Sequence, residues 1–267
     1  MMEKPWEGAF EPFNVFGNTW FTGTLPASTH LIDTGEGLII IDSGYQETLY
    51  LMLESTRKLG FDPADIRYIL HSHGHIDHAG ATRALVELTK AKTFIGAGDY
   101  DIVTGKRPLS WAPEYDMAFR GIFEPDRLLR DGEKITLGNV TVDCVATPGH
   151  SPGTFSFFWN AGEKGGKPVR AGMMGGAGLN TLHADYIRKY GLEAEDWRGA
   201  FAASLRRCRQ EHVDLFIGNH TGQNRMQEKF ALLKAGDADA FIDESAWGNF
   251  LDKCEKNLAK LLAEDPL

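Results

Sequence analysis

Short apolar runs broken by Gly or Pro open the chain. "NTWFTG", "THLID" and "GLIIIDSG" each last a few residues and predict strands. The period then lengthens. Leu49, Met52, Leu53, Thr56 and Leu59 recur at three- and four-residue spacing, which predicts a helix stopped by Gly60. "IRYIL" predicts a strand running up to His71, "ATRALVELTKA" a helix and "KTFIGA" a strand. Residues 99–130 hold no period, with Trp111, Tyr115, Phe119 and Phe123 set among prolines and charges. "KITLG", "VTVDCVAT" and "TFSFFW" predict an antiparallel set. Seven glycines in residues 162–178 then predict a mobile lid or a long hairpin. A helix at about 194–211, the strand "VDLFIG" and two further helices complete the pattern.

Strand runs therefore cluster instead of alternating strictly with helices. That order argues for two sheets with helices outside, one sheet from each half, and against a doubly wound parallel fold. No linker, repeat or low-complexity segment interrupts it, so a single domain over residues 1–267 is expected.

Composition adds exclusions. With 42% hydrophobic and 24% charged residues the chain can bury a core. A net charge of −9 disfavours nucleic acid and anionic membrane as partners, because phosphates need neutralising cations. An acidic small molecule stays compatible, since a metal can supply positive charge locally. No stretch nears the roughly 20 apolar residues of a membrane span, and "MMEKPWEGAF" lacks a secretory h-region. A cytoplasmic location is expected from the chain as written, and a periplasmic or secreted one if a leader has been trimmed. Cys144, Cys208 and Cys254 form no CxxC. Cys208 and Cys254 sit on apolar helical stripes and are expected as buried thiols, a bridge between them being a matter of geometry.

The chemistry concentrates in "HSHGHIDHAG", residues 71–80, which holds four of the nine histidines. Neutral imidazole and carboxylate are natural zinc ligands. Alternation in extended chain points His73 and His75 the same way, toward one metal, and places Asp77 and His78 to serve a second. His150 in "ATPGHSPG" and His220 in "IGNHTG" each stand in a loop just beyond an apolar strand. Loops at one sheet edge can converge on a cleft. Zinc suits this set, and iron or manganese would fit the same N/O ligands. His71, His30 and His212 are read as structural. Trp111, Tyr115 and Phe119 either line the cleft or pack an irregular loop.

HxHxDH, a later "TPGH" and a last His after a strand resemble the metallo-β-lactamase superfamily. "SHGHIDHAG", "PDRLLRDGEKITLGNVTV", "TPGHSPGTFSFFW" and "WGNFLDKCEKNLAKLLAE" are most similar to its subclass B3 members. The resemblance implies an αββα sandwich of two mixed sheets with helices on both outer faces. It implies two Zn2+ ions, one on His73, His75 and His150, the other on Asp77, His78 and His220, with Asp42 supporting the metal loop. It further implies hydrolysis of a small-molecule carbonyl substrate, with β-lactam amides leading and another amide, lactone or thioester as the alternative. Asp77 would orient the attacking water. The bridging aspartate that many superfamily hydrolases carry after the strand following "TPGH" is absent from "AGMMGGAGLN", as it is in subclass B3. The B3 serine that helps hold a substrate carboxylate is replaced here by Gly175 or Gly176, with Asn180 and His183 as candidate substitutes.

Overall fold

The computed structural model describes residues 4–267. Seven strands, β1 (Phe13–Phe16), β2 (Thr19–Phe21), β3 (His30–Asp33), β4 (Leu38–Ile41), β5 (Ile66–Leu70), β6 (Lys92–Gly96) and β7 (Arg127–Leu129), form one sheet in chain order. The first four pair antiparallel and β4 to β7 parallel. β8 (Glu133–Leu137), β9 (Val140–Ala146), β10 (Phe155–Lys164), β11 (Lys167–Met173) and β12 (Leu215–Phe216) form the second sheet, antiparallel except for β11 with β12. Both sheets are thus mixed, as expected.

The helices are α1 (Leu49–Lys58), α2 (Ile76–Ala79), α3 (Thr82–Thr89), α4 (Tyr100–Val103), α5 (Ala184–Tyr190), α6 (Trp197–Cys208), α7 (Met226–Lys234) and α8 (Glu244–Glu264). Among the described residues none is long and apolar enough to cross a membrane. Three apolar layers follow from the two periods. Phe21, Ile39, Ile41, Phe157 and Trp159 fill the space between the sheets. The other faces of β3 to β5 pack Leu31, Ile40 and Ile69 on Met52 of α1 and Leu85 of α3. Phe158 and Phe216 of the second sheet pack on Phe201 of α6 and on Trp247 and Leu251 of α8. Leu38 to Ile41 are all buried because a central strand covered on both faces has no polar side. Buried Trp159 reaches across from β10 and donates its indole N–H to Thr19 Oγ1 at 2.9 Å, tying the sheets together.

The glycine-rich stretch resolves into the β10–β11 hairpin, turned at Gly165 and Gly166, which both have positive φ. Of the two readings of this stretch, the long hairpin is the one found. "VDLFIG" pairs as a strand over Leu215–Phe216 only, with Asp214 and Ile217 continuing the backbone bonding to β11. Pattern missed β1, β7 and α5. Asn14 and Arg127 interrupt these two short strands with polar side chains, and the seven residues of α5 make fewer than two helical turns. All three cysteines are free and buried, so Cys208 and Cys254 are not bridged. Burial pushes each thiol up to about 12.

Candidate metal centre and cleft

Four loops leave the ends of β4, β5, β9 and β12 on the same side of the sandwich. Asp42 follows β4, residues 71–75 follow β5, His150 follows β9 and His220 follows β12. The helix after β5 begins earlier than the alternation argument supposes. His75 caps α2, so Asp77 already sits in a helical turn.

His73, His75 and His150 are buried and offer ligand atoms that all lie within 4.8 Å of one another, as do those of His73, Asp77 and His78. His73 Nε2 faces His75 Nδ1 at 3.0 Å, and His78 Nε2 faces His220 Nε2 at 3.3 Å. Asp77 Oδ2 is 3.2 Å from His78 Nε2 and 3.5 Å from His220 Nε2. All six residues singled out in the sequence therefore meet.

Their outward nitrogens explain why the inward ones are free to bind. Nδ1 donates to Gly175 O from His73 (2.8 Å), to Gly178 O from His150 (2.8 Å) and to Pro26 O from His220 (2.8 Å). His78 Nδ1 donates to Asp42 Oδ2 at 2.8 Å. Each bond orients its ring so that Nε2 points into the cluster, where a bound cation would take the place of any proton that Nε2 carries. Asp42 also accepts from Ser72 N and Ser72 Oγ at 2.7 Å, which locks the 71–78 loop to β4.

Burial disfavours the imidazolium at His73 and His75, and the neighbouring imidazoles lower both well below the ordinary value. Burial lowers His150 to about 4. His78 goes the other way: burial opposes its cation, yet Asp77 and Asp42 raise it to about 10. Burial likewise raises Asp77, but His78, His220 and His75 overcome this and hold its carboxyl well below the usual range. A crowd of buried, converging imidazole nitrogens beside one ionised carboxylate is a donor set that fits a divalent cation of the zinc type.

The cluster forms the floor of a cleft of about 370 Å³. Trp111 and Tyr115 line it, which settles the two readings of the aromatic stretch for those two residues; Phe119 packs instead with Tyr45 and Ile76. Trp111 has φ of 64°, an unusual value for a bulky side chain, and stacks on Tyr186 with ring centroids 5.3 Å apart. Asn180 lines the cleft. His183 does not. It is exposed and pairs with Asp265 at 3.1 Å, just beyond the last helix. His71 is buried between Phe94 O (3.0 Å) and Thr82 Oγ1 (2.6 Å), and His30 bonds Gly218 O at 3.0 Å, so both are structural.

Two residues escaped the sequence reading. Asp99 is buried and accepts from Gly74 N, Gly153 N and Ser151 Oγ, each at 2.7 Å, clamping the His73–His75 loop to the His150 loop. Burial pushes its carboxyl up while the three donors pull it back. Asn219 is buried beside His220 and donates to Gly175 O at 2.7 Å, the carbonyl that also holds His73. Nothing local distinguishes Asp99 in "GAGDY", whereas Asn219 adjoins a candidate ligand.

The family model of the metallo-beta-lactamase superfamily matches residues 22–163. Similar solved structures include BJP-1, a subclass B3 metallo-beta-lactamase of Bradyrhizobium japonicum. It is 27% identical, with 99% of this chain and 98% of that chain covered and a TM-score of 0.85. Native FEZ-1 metallo-beta-lactamase from Legionella gormanii is 26% identical, with coverages of 96% and 97% and a TM-score of 0.88. An N-acyl homoserine lactonase of Bacillus thuringiensis is 27% identical over 164 residues, 53% of this chain and 61% of that protein. The chain spans about three fifths of the length of that relative and of Bacillus subtilis YobT, which covers 54% of this chain at 27% identity.

Proposed function

The chain belongs to the metallo-beta-lactamase superfamily, and from that premise we propose a dinuclear zinc hydrolase whose leading reaction is opening of a β-lactam amide. The observation that carries this is the convergence of two donor groups beneath one cleft. His73, His75 and His150 would hold the first ion, and Asp77, His78 and His220 the second. Bound there, the cations would act as Lewis acids toward a carbonyl oxygen and activate water at neutral pH.

The protein's own part is placement. Asp77, ionised beside His78 and His220, can accept a hydrogen bond from water in the cleft and aim it. Asp42 holds His78 in the binding tautomer. Trp111, Tyr115 and Phe250 give the substrate an apolar wall that excludes bulk water, and Asn180 offers an amide to its polar edge. A lactone hydrolase is the second reading, favoured by the similarity to the Bacillus thuringiensis lactonase.

The test is turnover of a chromogenic cephalosporin and of an N-acyl homoserine lactone by zinc-loaded protein, with a chelator control. Faster, chelator-sensitive cephalosporin opening is expected, and a reversed preference would shift the assignment to the lactone. His73→Ala and Asp77→Ala should abolish turnover and lower metal content. Full activity in metal-free Asp77→Ala would refute the mechanism.

A further inference from the structure

We propose that Asn219 is a positioning residue for the ligand group of His73, His75 and His150, although its chain neighbour His220 belongs to the other group. The proposal rests on reading the cluster as two metal sites. It begins with one carbonyl. Gly175 O accepts from His73 Nδ1 at 2.8 Å and from Asn219 Nδ2 at 2.7 Å. A carbonyl oxygen has two lone pairs, and here each has its donor. The peptide that orients His73 is therefore itself oriented from residue 219.

The chemistry of the two partners fixes how the amide lies. Gly175 O can only accept, so Nδ2 must face it and Oδ1 must face away. Asn219 is buried, and its Oδ1 finds no hydrogen-bond partner among the described residues. An apolar side chain of the same shape would avoid leaving that oxygen unsatisfied. What the asparagine adds is its N–H, and that N–H goes to the wall behind His73.

Gly175 cannot brace itself. A Cβ there would lie 1.8 Å from Phe155 O, so the position takes no side chain. Behind it, Gly175 N donates to Ser156 Oγ at 3.1 Å. In front, Asn219 supplies the remaining hold. Asn219 has a firm base from which to act: its O accepts from Ser28 N at 3.0 Å, and its N donates to Gln223 Oε1 at 3.1 Å. His220 is supported separately. Its ring donates to Pro26 O, and Thr221 Oγ1 donates to Leu25 O, each at 2.8 Å. Neither bond involves the Asn219 side chain. Removing the amide therefore loosens His73 and leaves His220 in place, the reverse of what adjacency in the chain suggests.

The test is competitive zinc titration of Asn219→Leu in two backgrounds, each keeping one ligand group intact. In His220→Ala the ion held by His73, His75 and His150 should bind about tenfold more weakly once Asn219 is replaced, the lower end for loss of an outer partner of a ligand. In His73→Ala the ion held by Asp77, His78 and His220 should change less than twofold, because the side chain acts through His73. Asn219→Ala should repeat both results, with circular dichroism showing each variant folded. A change of less than twofold in His220→Ala, or an equal or larger loss in His73→Ala, would overturn the proposal and leave the two-site reading standing. Fewer than two ions on the wild-type protein, or none on His73→Ala, would remove the two-site reading and the proposal with it.

Discussion

Replacing Asp42 by Asn tests the tautomer argument on which the second ligand group depends. The change keeps the side chain's shape, and Asn tolerates the left-handed backbone at this position, where φ is 62°. With the new amide's oxygen kept on Ser72 N, its NH2 group replaces the oxygen now 2.8 Å from His78 Nδ1. Two donors then face each other. The contact is repaired only if His78 moves its proton to Nε2, the atom that lies 3.2 Å from Asp77 and 3.3 Å from His220. A protonated Nε2 cannot ligate. Loss of a supporting carboxylate of this kind typically costs about 10- to 100-fold in metal affinity, or about 1.4 to 2.8 kcal/mol. Competitive zinc titration against a chromophoric chelator reads both affinities. The weaker site should drop by that amount, while the site built on His73, His75 and His150 changes little. Two unaltered zinc affinities in a folded Asp42→Asn protein would refute the argument.

Other perturbations follow from the same contacts. Asp99→Ala strands three buried donors, each costing about 1–3 kcal/mol, so denaturant unfolding should show a loss of about 3 kcal/mol or more; a loss below about 1 kcal/mol would contradict the clamp. Gly176→Ser forces a side chain against the His150 ring, where even a Cβ would approach to 2.6 Å, and should weaken zinc binding without unfolding the protein, as read by zinc titration beside circular dichroism. Burial lowers His30 from 6.5 to about 4, so the unfolded chain binds its proton first as pH falls. Stability is then full above pH 6.5 and declines toward pH 4, by an amount on the order of 3 kcal/mol. Unfolding free energies of metal-free protein should fall at least that much as pH drops, because burial also lowers His73, His75 and His150, and His30→Gln should reduce the slope by about one proton's share; an unchanged slope in His30→Gln would contradict the assignment.

Much of the fold could be read along the chain because burial in a sandwich repeats with a period of two in strands and near four in helices. Leu49 to Leu59 and Ile66 to Leu70 satisfy those periods strongly, and both elements stand where the pattern places them. Short strands registered where their run was continuously apolar, as in Leu38–Ile41, whereas the seven residues of α5 make fewer than two turns and β7 opens on the charged Arg127. The site followed the same logic. Ligands stood next to strand ends, so adjacency in sequence marked them. His183, a candidate for holding a substrate carboxylate, instead pairs with the distant Asp265 outside the cleft.

The sequence by itself determined the kinds of element, the loops that carry the imidazoles and the donor set suited to a divalent metal. These depend on local composition and spacing, which a single chain displays. The tertiary structure decided the rest. His220 meets Pro26 across 194 positions, Asp99 joins loops 25 and 54 residues away, and Lys253 reaches the cleft from the last helix. Those contacts are set by how sheets and helices pack, and no period along the chain encodes which distant backbone carbonyl will hold an imidazole in the tautomer that binds.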